Sequence, residues 1–100
     1  QLGLLDKIAV KNQNPKAPLY KKYFMHGAGH FLGIDVHDVG PRYEKIQYGN
    51  VFTIEPGIYI PAENIGIRIE DNIHITADGN VNLMYDIPKT VEEIEDIMLG

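Results

Sequence analysis

The sequence predicts an α+β chain, built mainly of antiparallel strands and closed by a C-terminal helix. Three observations carry that reading. Phe52 and Ile54 alternate with Val51, Thr53 and Glu55. A longer alternation runs from residue 65 to residue 76, with Ile65, Ile67, Ile69, Ile73 and Ile75 on one parity and Arg68, Glu70, Asn72, His74 and Thr76 on the other. Two-residue alternation marks a strand with one apolar face. Near the end, Thr90 and Glu93 fit a capping box ahead of Val91, Ile94, Ile97 and Met98 at helical spacing.

In chain order, Gln1-Leu2-Gly3-Leu4-Leu5 reads as the end of a helix whose body lies upstream, because so short an apolar segment cannot hold a helix alone. Residues 11–18 are polar, hold two prolines and read as an exposed loop. Tyr20 to Phe24 fits either a single helical turn or the approach to a strand. Glycines at 27, 29, 33 and 40 break any helix between His26 and Gly40 and bend the backbone repeatedly. The strand Val51 to Glu55 is interrupted by Pro56-Gly57 and continues through Ile58-Tyr59-Ile60. Asp71 is the one polar residue on the apolar parity of the long alternation, which suggests a bulge or an exposed end. Ala77-Asp78-Gly79-Asn80 signals a turn into a short strand, Val81 to Met84. Gly100 falls near the C-terminal end of the last helix. No internal repeat or low-complexity stretch interrupts this order.

Length and composition bound the function. One hundred residues suffice for one domain with a modest core, and a hydrophobic share of 44% excludes global disorder. The net charge is −5 with no basic run, which argues against nucleic acid or an anionic membrane surface as partner. There is no cysteine, so disulfides and thiolate metal sites are excluded, in keeping with a reducing, cytoplasmic setting. No apolar run approaches the roughly 20 residues of a membrane-spanning helix, and no signal-peptide pattern opens the chain.

Chemistry-bearing residues cluster. His26, His30 and His37 fall close together, and Glu55 and Glu70 sit in strands otherwise rich in isoleucine and phenylalanine. A carboxylate in such a strand needs a partner, since an unpaired buried charge costs several kcal/mol or more. Arg68 shares a face with Glu70 and is one candidate partner, so a structural ion pair with surface histidines is one reading. A metal site is the other. The HxxxH spacing of His26 and His30 lacks the glutamate and the helix of a zinc-protease motif. A GxSxG elbow, a cysteine nucleophile and a phosphate loop are all missing. Carboxylates and imidazole together suit Mn²⁺, Co²⁺ or Zn²⁺.

Three stretches, in order, resemble the motifs of the Xaa-Pro peptidases, the family of aminopeptidase P and prolidase with the pita-bread (creatinase/aminopeptidase-like) fold. His26-Gly27-Ala28-Gly29-His30-Phe31-Leu32-Gly33-Ile34-Asp35-Val36-His37-Asp38-Val39-Gly40 is similar to the histidine motif. Phe52-Thr53-Ile54-Glu55-Pro56-Gly57-Ile58-Tyr59 resembles the second motif, and Gly66-Ile67-Arg68-Ile69-Glu70-Asp71 the third. Arg68 ahead of Glu70, with Asp35-Val36-His37-Asp38, favours this branch over methionine aminopeptidase. The resemblance implies two divalent metals, commonly Mn²⁺, held by two Asp, one His and two Glu. His30 then matches the histidine ligand, Glu55 the first glutamate and Glu70 the carboxylate that bridges both ions. It also implies that His26 and His37 contact the substrate and stabilise the reacting carbonyl, and that Arg68 and Tyr59 hold the carboxylates in place. A water activated between the metals would attack the bond before proline, with Glu55 as general base, in peptides that carry proline second.

The family's two Asp ligands have no match here, and Asp35 and Asp38 belong to the histidine motif. Residues 1–100 are therefore expected to be the C-terminal part of one pita-bread catalytic domain, with an incomplete metal site and no activity alone. Two alternatives stay open: an Xaa-Pro dipeptidase, which shares all three motifs, and a non-catalytic module that kept the fold. Retention of three ligands expected to be buried speaks against the module. Exposed strands of an incomplete domain make self-association into a homo-oligomer a further expectation.

Overall fold

Two short antiparallel ladders share one register and set the positions of everything else. The computed structural model describes residues 3–41 and 43–100. In it, β1 (Val51–Ile54) pairs with β4 (Asp71–Thr76), and β2 (Gly57–Ile60) pairs with β3 (Ile65–Arg68). Ile54 lies opposite Asp71 in the first ladder and Gly57 opposite Arg68 in the second. Continuing either ladder sets Glu55 opposite Glu70 and Pro56 opposite Ile69. The two arms thus form one long hairpin interrupted in its middle. Pro56 has no N–H to give a ladder, which accounts for a break at this point. At the tip, a 3-10 turn at Pro61–Glu63 ends on Asn64 with φ 54, a left-handed conformation that asparagine tolerates.

The long alternation is therefore two strands, with Ile69 and Glu70 outside both. Asp71 is neither a bulge nor a free end. It opens β4, with its carboxylate 2.7 Å from the Lys89 ammonium. Along the hairpin, opposite residues share a face. Thr53, Glu55, Gly57 and Tyr59 accompany Asn72, Glu70, Arg68 and Gly66 on one side, while the other side carries Ile54, Ile58, Ile67 and Ile69.

β4 pairs on its far side with β5 (Gly79–Asn82) through a two-residue turn, Thr76 lying opposite Gly79. This strand begins two residues earlier than the pattern suggests. Gly79, at φ 137, enters the ladder directly, and Asn82 turns the chain away by accepting the Met84 N–H at 2.8 Å. On the outer edge of β1, residues 28–32 run antiparallel. Thr53 N–H reaches the His30 carbonyl at 2.9 Å, Glu55 N–H reaches Ala28 at 2.8 Å and Leu32 N–H reaches Val51 at 3.0 Å. Phe31 bridges to Phe52, their ring centroids 4.4 Å apart.

The helices are peripheral. α1 (Lys7–Lys11) starts at Asp6, whose carboxylate accepts the Ala9 N–H at 2.8 Å. The expected helix end falls partly on Gln1 and Leu2, outside the described residues; Gly3 to Leu5 are not helical, and a new helix is capped just after them. The loop expected from residue 11 begins after Lys11, the last residue of α1, and Leu19–Lys22 forms one 3-10 turn, the first of the two options open for that stretch. α2 (Val91–Leu99) begins with both halves of its capping box. Thr90 Oγ1 accepts the Glu93 N–H at 3.2 Å, and Glu93 Oε2 accepts the Thr90 N–H at 3.0 Å.

Among the described residues the one fully buried side chain is Thr53, at 1% exposure, while Ile67 on the apolar face is 60% exposed. No helix of the described residues is long and apolar enough to cross a membrane.

The capping box carries a pH dependence of known sign. The Lys89 and Thr90 N–H groups, and then the Thr90 hydroxyl, hold the Glu93 carboxyl below its ordinary value. A folded-state value below the unfolded one gives stability that is complete above the unfolded value. It is lost as pH falls through the depressed one. NMR hydrogen exchange should show the Lys89 and Thr90 amides losing protection on acidification below the usual glutamate range. With Glu93→Gln that acid transition should disappear.

Candidate metal centre

The site is assembled where the hairpin breaks. Residues 28–32 approach β1 closely because position 29 is glycine; a Cβ there would run into the Thr53 carbonyl. The contact holds His30 by its backbone on both sides. Its carbonyl takes the Thr53 N–H, and its own N–H donates to the buried Thr53 hydroxyl at 3.0 Å. Thr53 went unrecognised in the sequence, although a lone hydroxyl inside Val-Phe-Thr-Ile was the available signal.

The ring of His30 is then set by hydrogen bonding. Nδ1 lies 2.9 Å from the Phe31 carbonyl. A carbonyl can only accept, so Nδ1 is the donor here, and Nε2 is the ring nitrogen that faces Glu55. Nε2 and Glu55 Oε1 are 3.4 Å apart. Glu70 arrives from the other arm, and one ligand atom from each of His30, Glu55 and Glu70 lies within 4.8 Å of the others. One imidazole nitrogen and two carboxylates converging on one point form a donor set that a cation would satisfy. Two like unit charges about 4 Å apart repel by about 1 kcal/mol in bulk water and about 4 kcal/mol near a protein surface. A divalent ion reverses that sign, and one nitrogen with two carboxylate oxygens suits Mn²⁺, Co²⁺ or Zn²⁺. Donation from Nδ1 to a carbonyl is also the usual support for a histidine that ligates through Nε2. The residues present fit a divalent metal.

The neighbours differ in part from the sequence expectation. Arg68 sets its Nε 3.8 Å from Glu55 Oε2, so its partner is the carboxylate diagonal to it across the hairpin rather than Glu70 two residues on. Tyr59 places its hydroxyl 2.7 Å from His26 Nε2. The His26 Nδ1 is 2.8 Å from the Gly27 carbonyl and donates to it, so the tyrosine donates to Nε2 and both ring nitrogens of His26 are engaged. Room for the tyrosine ring comes from Gly57, where a Cβ would sit 2.7 Å from the hydroxyl. His37 is exposed, its ring 4.4 Å from that of His30 and inclined at 72°. Both histidines border a cavity of about 460 Å³ that also touches Phe31 and Phe52. Asp38 accepts the Ile34 and Val39 N–H groups at 3.1 and 2.9 Å, a loop-shaping role. Of the three candidate ligands, His30 and Glu55 are half-buried and Glu70 is exposed, so the expectation of three buried ligands is corrected at Glu70.

Known proteins resemble this chain in sequence and in fold. The sequence profile of metallopeptidase family M24 matches residues 2–77. The chain is 46% identical to the Xaa-Pro aminopeptidase of Escherichia coli, across 98% of this chain and 24% of that protein. It is 43% identical to the Xaa-Pro aminopeptidase of Haemophilus influenzae, across 79% of this chain and 21% of the relative. Among solved structures it resembles E. coli aminopeptidase P with the inhibitor Pro-Leu, at a TM-score of 0.73 and 47% identity over 80% of this chain and 21% of the other. The chain thus spans about a quarter or less of the length of these proteins. The expected fold, α+β of the pita-bread type with mainly antiparallel strands and a C-terminal helix, is the one observed.

Two outcomes follow from the geometry. Thr53→Val should leave the His30 N–H without a partner at a cost of about 1–3 kcal/mol. The readout is faster hydrogen exchange at the His30 amide. Added Mn²⁺ should broaden the ring resonances of His30 and His37 before those of His74 on β4, and Glu55→Gln should remove that preference.

Proposed function

This chain belongs to metallopeptidase family M24, and we propose that the protein it forms part of is a Xaa-Pro aminopeptidase, releasing an N-terminal residue that precedes proline. The observation that carries the reading is the cluster of His30, Glu55 and Glu70 at the hairpin break. The E. coli and H. influenzae relatives are both named as Xaa-Pro aminopeptidases, which favours that reading over a dipeptidase. His30 through Nε2, Glu55 and Glu70 would hold part of a two-ion site, with manganese as the preferred metal. Bound ions supply Lewis-acid polarisation of the scissile carbonyl and a water that ionises near neutral pH.

The chain's own residues do the rest. Glu55 keeps one oxygen toward His30 and the other toward Arg68, and so stands ready to accept the proton of the attacking water. Exposed beside His30 at the cavity, His37 donates a hydrogen bond to the carbonyl oxygen as negative charge develops. His26 has both nitrogens occupied and contributes ring shape rather than a proton. That kind of contact suits proline, which offers no N–H to bond. Two further carboxylate ligands would come from outside residues 1–100, which form part of one catalytic domain. The substrates are peptides with proline second, and the setting is cytoplasmic.

The test is an assay of the full-length protein with Mn²⁺ on Arg-Pro-Pro, Arg-Ala-Pro and Arg-Pro. We expect arginine release from Arg-Pro-Pro alone among the tripeptides, a fall in kcat of about 100-fold or more with Glu55→Gln, and no turnover by the isolated chain. Cleavage of Arg-Pro without the tripeptide would reassign the protein as a dipeptidase. Folded protein that binds metal without hydrolysing any of the three would make it a non-catalytic module.

A further inference from the structure

Glu70 is the ligand whose position is least explained by the strands. It lies outside both ladders, is exposed, and follows the break opposite Pro56. Its direction depends on how the chain is set at Asp71, the first paired residue of β4. Alternation points Asp71 to the opposite side of the hairpin from Glu70, away from the metal site. On that side Lys89 meets it. The ammonium lies 2.7 Å from Asp71 Oδ1, and both side chains are 25% exposed. Asp71 Oδ1 is itself buried and takes no directed hydrogen bond among the described residues, so the ammonium charge is what compensates it.

Lys89 is in turn held firmly. Its ammonium donates to the Met84 carbonyl at 2.8 Å, and its backbone N–H donates to Glu93 Oε2 at 3.0 Å, inside the capping box of α2. A single residue therefore ties the start of β4 and the segment after β5, through its side chain, to the N-terminus of α2, through its backbone.

We infer that Lys89 is a positioning residue for the metal centre: gripping Asp71 on one face of the hairpin, it fixes Glu70 on the other. The inference rests on the metal-site reading above. Glu70 and Asp71 are consecutive in the chain, so holding the backbone at the first paired residue of β4 limits the directions from which the Glu70 side chain can reach the site. Nothing in the clamp touches metal or substrate. Its loss should loosen the site while leaving the ligands in place.

The experiment is Mn²⁺ titration calorimetry on the full-length protein, run beside thermal unfolding for each variant. Lys89→Met and the gentler Asp71→Asn should each weaken Mn²⁺ binding about tenfold, as loss of a group supporting a ligand does. The double variant should be no weaker than either single one. Lys89→Arg should keep binding near wild type. Thr90→Ala, which loosens α2 but leaves the ion pair, controls for stability alone and should bind Mn²⁺ normally at a lowered Tm. If Lys89→Met and Asp71→Asn bind like the wild type, the inference is overturned and the metal site stands. If Thr90→Ala loses as much affinity per degree of Tm as they do, Lys89 is a structural residue only, and the inference is again overturned. A wild-type protein that binds no Mn²⁺, Co²⁺ or Zn²⁺ would remove the metal reading and the clamp with it.

Discussion

Like charges opposite one another across an antiparallel pair repel, and the register of this hairpin puts Glu55 and Glu70 in that relation. The rest of the structure can be understood as the means of holding that unfavourable pair in place until a cation makes it favourable. Pro56 ends the ladder beside it, so neither arm can relax by sliding. Arg68 offers partial relief to one carboxylate from a diagonal position. His30 enters from the segment that runs along β1, with Nε2 toward the same point and Nδ1 donating to the Phe31 carbonyl. The result is a site that is electrostatically incomplete by construction, which distinguishes it from an ordinary strand ion pair.

The energetic support for this arrangement is backbone rather than core. Among the described residues the fully buried side chain is a threonine, and its hydroxyl serves the histidine backbone. Isoleucines that would form a core in a closed domain remain exposed along the hairpin's far side. Ladder hydrogen bonds, the Phe31–Phe52 contact and the capping box are what the chain supplies on its own. Burying the apolar side of the hairpin would add about 25 cal/mol for each Å² removed from water.

Much of this was legible in the sequence, and the limits were physical. Alternation revealed both arms of the hairpin, because a strand's side-chain period is a local property. The capping box was legible for the same reason, its partners being three residues apart. The histidine and glutamate motifs identified the ligands by type and order. What the pattern could not show was the break between Arg68 and Asp71, since the isoleucine alternation runs on through it. Nor could it show the partners of Arg68 and Tyr59. Arg68 turned to Glu55 across the hairpin, and Tyr59 to His26 from a distant segment; both depend on register, which sequence periodicity leaves undetermined. Lys89 and Asp71 are likewise distant in the chain, and only folding β5 back beside β4 brings them together.

The shared register also constrains how such a chain can change length. The turn at Pro61–Glu63 and Asn64 lies beyond the last pair of the hairpin, so residues gained there alter neither arm. One residue gained inside an arm between Thr53 and Gly57 would instead exchange the two faces from that point on. Glu55 or Tyr59 would then be traded for an isoleucine, and the site would be dismantled with every ligand still present in the sequence. Variation in length among proteins that retain this centre should accordingly gather at the hairpin tip and avoid its arms, a pattern of insertion tolerance dictated by geometry rather than by exposure.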